Sequence, residues 1–140
     1  MFSHVALNCL DALATERWYA AAFGFRRARV VELGEGAQIV FLRLGPAYLE
    51  LFQTAAAQLV PARGDGPQHP GTIRHLAFQV DDVDATLARV PDAAVTMGPL
   101  AFDDFIPGWR TVWVSDPDGV VVEISQGYAD QEHPPPCPGH

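Results

Sequence analysis

The chain has 140 residues, a formal net charge of −8 and 49% hydrophobic residues. That is enough apolar chain for one core, or for two small modules sharing one, while the acidic balance argues against nucleic-acid or anionic-membrane partners, which need a basic face. No apolar stretch is long enough to span a bilayer, no basic segment leads into an apolar run of the secretory kind, and Cys9 and Cys137 make no disulfide framework, so a reducing cytoplasmic setting is expected.

Residues 2–8 alternate: Val5, Leu7 and Cys9 take one face, His4, Ala6 and Asn8 the other, which is strand periodicity. Asp11 and Thr15 are candidate caps for a helix over residues 12–23, with Trp18, Tyr19, Ala22 and Phe23 as its apolar stripe. Gly24 suits the left-handed position after it. Residues 29–33 and 38–44 read as strands joined through Gly34-Glu35-Gly36, and Gly45-Pro46 turns the chain into a further strand over 48–53. The order is β-α-β-β-β. Arg26, Arg27 and Arg29 are the one basic group, and alternating strand faces are expected to split it into solvated edge charges.

Residues 54–72, rich in Ala, Gly and Pro, read as a linker. The pattern then restarts. Residues 74–80 form a strand, Asp82-Val83-Asp84 begins a short helix that Pro91 ends, and strands follow over 94–97 and 111–115. Asp116-Pro117-Asp118-Gly119 is a tight turn leading into a strand over 120–125. The domain reading is therefore a first module over 1–53, a linker over 54–72, a second module over 73–128 and a disordered Pro-rich tail over 129–140.

Four residues repeat with the modules. His4 precedes Glu50 by 46 positions and His75 precedes Glu123 by 48; His4 and His75, like Asp11 and Asp82, are offset by 71. Parity puts all four on the less aliphatic face of their strands: His4 with Ala6 and Asn8, Glu50 with Tyr48 and Phe52, His75 with Ala77 and Gln79, and Glu123 with Val121 and Ser125. One reading is a half-solvated sheet on which these are surface residues. The other is a curved sheet enclosing a pocket, favoured by the small and aromatic company and by the matched positions. If the four converge, two carboxylates need a cation between them, and an N2O2 set suits one divalent Ni, Co, Fe, Mn or Zn ion.

The motifs His4-Val5-Ala6-Leu7, Arg17-Trp18-Tyr19 through Phe23-Gly24-Phe25, Tyr48-Leu49-Glu50-Leu51-Phe52, His75 to Asp82, and Asp116-Pro117-Asp118-Gly119 with Glu123 occur in this order. Together they resemble the vicinal oxygen chelate superfamily of glyoxalase I, epimerases, extradiol dioxygenases, fosfomycin-resistance and bleomycin-binding proteins, over about residues 3–127. The ligand pattern is most similar to glyoxalase I. The resemblance implies an α+β fold of two tandem βαβββ modules forming an open barrel-like cup, within one chain or across a homodimer. It also implies metal ligation by His4, Glu50, His75 and Glu123.

The activity so implied is that of a metal-dependent isomerase or lyase removing a proton α to a chelated carbonyl of a small substrate. Glu123 is the expected mobile base by analogy, and Glu50 its counterpart. Asn8, Tyr48, Phe52, Gln79, Trp109 and Arg110 are candidate substrate contacts, and residues 102–110 read as a packed surface loop or a lid. No basic cluster is evident to hold glutathione or a CoA phosphate. Two alternatives stay open: an Fe(II) dioxygenase using His4, His75 and Glu123, and a metal-free antibiotic-sequestering protein using Trp18, Trp109, Trp113 and Phe102 as stacking surfaces.

Overall fold

The structure is a computed structural model that describes residues 1–55 and 59–139. Its elements run β1 (His4–Cys9), α1 (Ala12–Phe23), β2 (Arg26–Gly34), β3 (Ala37–Leu44), β4 (Ala47–Gln53), β5 (Leu76–Gln79), α2 (Val83–Arg89), β6 (Ala94–Ala101), β7 (Arg110–Ser115) and β8 (Val121–Gln126). The order β-α-β-β-β occurs twice. Each repeat makes a four-stranded sheet, β1-β4-β3-β2 and β5-β8-β7-β6, whose first pair is parallel and whose others are antiparallel. Both sheets are open, so the fold is α+β without a closed barrel.

The helices start where their backbone donors find oxygen. Asp11 accepts from the Leu13 and Ala14 amides, and Asp82 accepts from the Ala85 amide. A second device repeats as well: the Gln53 side-chain oxygen accepts from Ala12 N–H at 3.2 Å, and that of Gln126 accepts from Val83 N–H at 2.7 Å. Each glutamine ends its module's last strand and closes the first turn of its module's helix. Thr15 is not a cap. It is buried inside α1, where its hydroxyl donates to Asp118 at 3.0 Å. Gly24 ends α1 at φ 82°, a conformation open to glycine at no steric cost.

The aliphatic strand faces meet in one core. Leu7, Cys9, Val40, Leu42, Leu49 and Leu51 come from the first sheet, and Val112, Val114, Val122 and Ile124 from the second, with Trp18, Tyr19, Ala22 and Val83 between them. Phe23 of α1 stacks on Phe78 of β5 with ring centroids 4.1 Å apart. Polar ties cross the same boundary: Tyr19 Oη donates to Asp116 at 2.9 Å and Leu10 N–H to Asp118 at 2.8 Å. Asp116 also accepts from the amides of Asp118 and Val120, which makes the Asp116–Gly119 turn. The two sheets therefore stand back to back across the helices; the face opposite the helices is open on the first sheet, whereas on the second Thr111, Trp113, Val121 and Ser125 of that face are buried.

Strand bounds depart from expectation in places: β5 keeps only Leu76–Gln79 of the expected 74–80, so His75 stands just ahead of it. β2 begins at Arg26 and not at residue 29, with register shifts between Arg27 and Arg29 and between Glu32 and Gly34. β6 runs past Met97, its expected end, through a cis Gly98-Pro99 bond to Ala101. It is an edge strand, and an edge tolerates a missing N–H.

Of the expected linker, residues 56–58 lie outside the described residues. The part before His75 is fastened: Thr96 donates to the Gly64 carbonyl at 2.6 Å, and a Cβ on Gly66, at φ +111°, would collide with the Arg74 carbonyl oxygen. Residues 129–139 form no helix or strand, and residue 140 lies outside the described residues. Among the described residues no helix is long and apolar enough to cross a membrane.

Candidate functional site

Each outward sheet face carries one His–Glu pair. In the first, Ala6 of β1 lies beside Glu50 of β4, and His4 Nε2 stands 3.6 Å from a Glu50 carboxylate oxygen. In the second, Ala77 of β5 lies beside Glu123 of β8, and His75 Nε2 stands 3.4 Å from Glu123. The parallel pairing explains both: a small Ala next to each Glu leaves room for the imidazole at the strand's entry. An aromatic ring completes each pair. Phe41, paired with Glu50, meets His4 edge-on at 6.1 Å, and Trp113, paired with Glu123, meets His75 edge-on at 6.3 Å.

The four candidate ligands thus come together in twos. Among the described residues no three His, Cys, Asp or Glu side chains gather as a metal cluster. This follows from the shared core, which turns the two polar faces away from one another.

Each pair nevertheless has the chemistry of half a metal site. Separations of 3.4 and 3.6 Å are long for a hydrogen bond. They are close to the roughly 3.0–3.5 Å between two donors that each lie about 2.1 Å from one ion. The imidazoles are also oriented. His75 Nδ1 lies 2.7 Å from the Asp65 carbonyl, which can only accept, so Nδ1 carries the proton and Nε2 offers its lone pair toward Glu123. Asp65 is held in turn by a two-pronged ion pair with Arg74, whose guanidinium keeps the Asp65 carboxyl below the ordinary range. His4 Nδ1 has the Ser3 hydroxyl at 3.0 Å. Neither Ser3 nor Asp65 is among the residues expected from sequence: Asp65 acts through a backbone carbonyl, which leaves no residue signature, and Ser3 through an exposed hydroxyl.

Burial raises the Glu123 carboxyl above its ordinary range, with His75 and Trp113 opposing and Asp65 adding to the rise. The Trp113 indole N–H is buried and makes no hydrogen bond of good geometry among the described residues, although it lies close enough to Glu123 to favour the charged form.

The expected substrate contacts scatter. Tyr48 and Phe52 share the Glu50 face, half-buried, and Asn8 lies there too, its side-chain oxygen accepting from Thr54 at 3.1 Å. Gln79 is exposed on the Glu123 face. Trp109 reaches that face, where its indole donates to Ser125 at 3.0 Å. Arg110 does not. It pairs with Gln126, one residue out of phase with Glu123, so it projects to the helix side and binds Asp84 at 2.7 Å. The 102–110 loop is closed on itself by Phe102–Trp109 and Ile106–Phe102 backbone bonds and by Asp103 accepting from Gly108, the packed-loop arrangement.

The arginines of β2 are the largest departure. The bulge at Ala28 resets the parity, so Arg26 pairs with Arg43 and Arg29 with Phe41, both on the His4–Glu50 face. Arg27 alone goes to the helix side, to Glu16. Arg26, Arg29, Arg43, Tyr48 and His4 line one cleft of about 890 Å³, and Arg27, its guanidinium bound to Glu16, borders it too. Alternation predicts the opposite split, because a bulge leaves no mark in a single sequence.

Comparison with known proteins gives a consistent picture. The sequence profile of the Glyoxalase/Bleomycin resistance protein/Dioxygenase superfamily matches residues 1–124. The uncharacterized protein YaeR of Escherichia coli strain K12 is 30% identical over 129 residues, 86% of this chain and 92% of YaeR. A glyoxalase family protein from Enterococcus faecalis has a similar structure, with a TM-score of 0.64 at 31% identity over 87% of this chain and 94% of that one. The fosfomycin resistance protein FosX from Mesorhizobium loti, at 18% identity and a TM-score of 0.63 over 89% of both chains, shares the fold.

Proposed function

Because this chain belongs to the Glyoxalase/Bleomycin resistance protein/Dioxygenase superfamily, we propose that it is a divalent-metal-dependent lyase or isomerase that moves a proton α to a substrate carbonyl. Its site would be assembled from two copies of the chain. His4 and Glu50 of one copy and His75 and Glu123 of the other would hold one ion, either Ni, Co, Fe, Mn or Zn. The observation that carries this reading is that two matched, oriented His–Glu half-sites face outward from a single core. Homo-oligomers most often close as two-fold dimers, and such a dimer would have two equivalent sites.

A bound divalent cation supplies Lewis acidity, polarising a substrate carbonyl and acidifying the neighbouring C–H. The chain supplies the rest. Asp65 fixes the ring of His75, and Ser3 borders that of His4, so both imidazoles present Nε2 to the same space as the carboxylates. Glu123 takes the proton at a carboxylate oxygen and returns it, and Glu50 serves the opposite face of the substrate. Trp113 and Phe41 wall off water beside them. Tyr48, Phe52, Asn8 and Gln79 line the rim that receives a small substrate.

The test is elemental analysis of untagged protein beside the His75→Ala variant, together with NMR of α-proton exchange into deuterated solvent for small α-hydroxy and α-keto carbonyl compounds. About one transition metal per chain in the wild type, lost in the variant, is the expected result. Exchange abolished by Glu123→Gln would complete it. A protein that takes up none of the five metals would contradict it.

A second reading is a metal-free small-molecule binder. It is favoured by the aromatic group of Phe102, Trp109 and Trp113, with ring centroids 5.0 Å apart for Phe102–Trp109 and 6.5 Å for Phe102–Trp113. Quenching of tryptophan fluorescence by a planar ligand in metal-free protein would support it.

A further inference from the structure

We propose that the cleft beside His4 is an oxyanion subsite, in which Arg26, Arg29 and Arg43 hold a carboxylate or phosphate group of the substrate. The claim that the anion belongs to the substrate rests on the function proposed above; the subsite itself does not. Every one of the nine basic residues in this chain is arginine, and four of them line this one surface of a protein with a net charge of −8, Arg27 being neutralised by Glu16 and the other three not. They reach it by a specific route. In a regular strand Arg26 and Arg29 would point to opposite faces, and the extra residue at Ala28 puts both beside Arg43. A bulge of this kind re-aims side chains, here from the edge to the inside of a cleft.

Their partners are accounted for. Among the described residues no carboxylate pairs with Arg26, Arg29 or Arg43, whereas Arg27, Arg74 and Arg110 each have one. Arg43 is positioned without being neutralised: its Nε donates to the Gly45 carbonyl at 2.7 Å, and its guanidinium carbon lies 5.7 Å from the Tyr48 ring centroid. Three guanidinium groups on one concave wall repel one another until an anion joins them. The planar fork of arginine suits the paired oxygens of a carboxylate or phosphate better than an ammonium does.

The volume and placement set the substrate class. About 890 Å³ holds a small organic molecule, and the cleft includes His4, so it opens onto the His4–Glu50 pair. A molecule reacting at that pair would extend its anionic end toward β2. The subsite selects acidic carbonyl compounds over neutral ones.

Isothermal titration at low salt, with inorganic phosphate and with succinate as separate probes, tests this. Each is run on protein as purified and on metal-stripped protein, so that ligation to a metal is not mistaken for arginine binding. The expected result is saturable binding of at least one probe in both preparations, weakened about tenfold or more by Arg29→Gln and by Arg43→Gln. Arg89→Gln, on α2 of the other module and away from the cleft, should leave it unchanged. Tighter phosphate points to a phosphoryl-bearing substrate, and tighter succinate to a carboxylate. Absence of saturable binding to the wild type, or equal weakening by Arg89→Gln, overturns the proposal. Should Arg29→Gln or Arg43→Gln fold poorly, Arg29→Lys is the second variant, expected to keep the charge and lose at least half of the binding gain. Metal content is measured on the same samples: anion binding without metal leaves the subsite standing and removes the metalloenzyme, and metal without anion binding does the reverse.

Discussion

Replacing Tyr19 with Phe removes one hydroxyl from the seam that holds the two sheets back to back. Tyr19 is fully buried, and its ring packs edge-on against Trp18 at 4.8 Å and Phe25 at 5.9 Å, contacts that Phe retains. What is lost is the 2.9 Å donation to Asp116, a carboxylate only 4% exposed whose other oxygen already accepts from two backbone amides. A hydrogen bond to a charged group contributes about 1.5–3 kcal/mol, so the variant should lose about 2 kcal/mol near pH 8. For a chain of this size that is a fall in Tm of roughly 6–10 °C.

The loss should depend on pH, with a definite sign. Burial raises the folded-state pKa of Asp116 above its ordinary value, while the amide and Tyr19 donors oppose the rise. The folded protein therefore binds the proton more readily than the unfolded chain, and this stabilisation, present in acid, is lost as pH rises through the raised value. Without Tyr19 the value climbs further and the variant loses more on the way up. The difference between wild type and variant should shrink toward about 1 kcal/mol at acid pH, where a neutral acid is the partner. Urea unfolding at both ends of the pH range, with unchanged m-values, measures this. A loss under about 0.5 kcal/mol at high pH, or one that grows in acid, would refute the role given to this bond.

Three further outcomes follow from named contacts. Gly66→Ala forces a Cβ into the Arg74 carbonyl and displaces the Asp65 oxygen that orients His75, so metal affinity should fall about 10–100-fold in a chelator competition; an unchanged affinity would separate Asp65 from the site. Gln53→Ala and Gln126→Ala each free one helix-start amide, costing about 1 kcal/mol apiece, and urea unfolding of the double variant should show the sum, since the two lie in different modules. Burial pushes the Cys9 thiol up to about 11, whereas Cys137 is exposed, so a chromogenic thiol reagent should find one fast thiol in native protein and a second only after unfolding; two fast thiols would contradict the packing at Cys9.

Much of this fold is written in periodicity. α1 covers residues 12–23 as the stripe of Trp18, Tyr19, Ala22 and Phe23 with Asp11 and Gly24 at its ends predicts. The faces of β1, β4, β5 and β8 follow simple alternation, which is why the residue pattern alone puts His4, Glu50, His75 and Glu123 on the faces turned away from the aliphatic core. Alternation fails where the count of residues is broken. One extra residue at Ala28 moves Arg29 to the other face, and no residue type announces it. Tertiary partners such as the Asp65 carbonyl are equally silent, because they act through backbone atoms. Whether two pairs meet is a question of how modules pack, and that depends on the shared core of Leu51, Val112, Ile124 and Tyr19 rather than on the pairs themselves.

The most direct test mixes two broken proteins. The His4→Ala and His75→Ala variants are unfolded together in equal amounts, refolded with metal, and assayed for bound metal. If each site joins His4 and Glu50 of one copy to His75 and Glu123 of another, half of the dimers formed are mixed and carry one intact site of two, restoring about a quarter of wild-type metal. If the mixture binds no more metal than either variant alone while refolded wild type recovers its own, the shared centre is wrong.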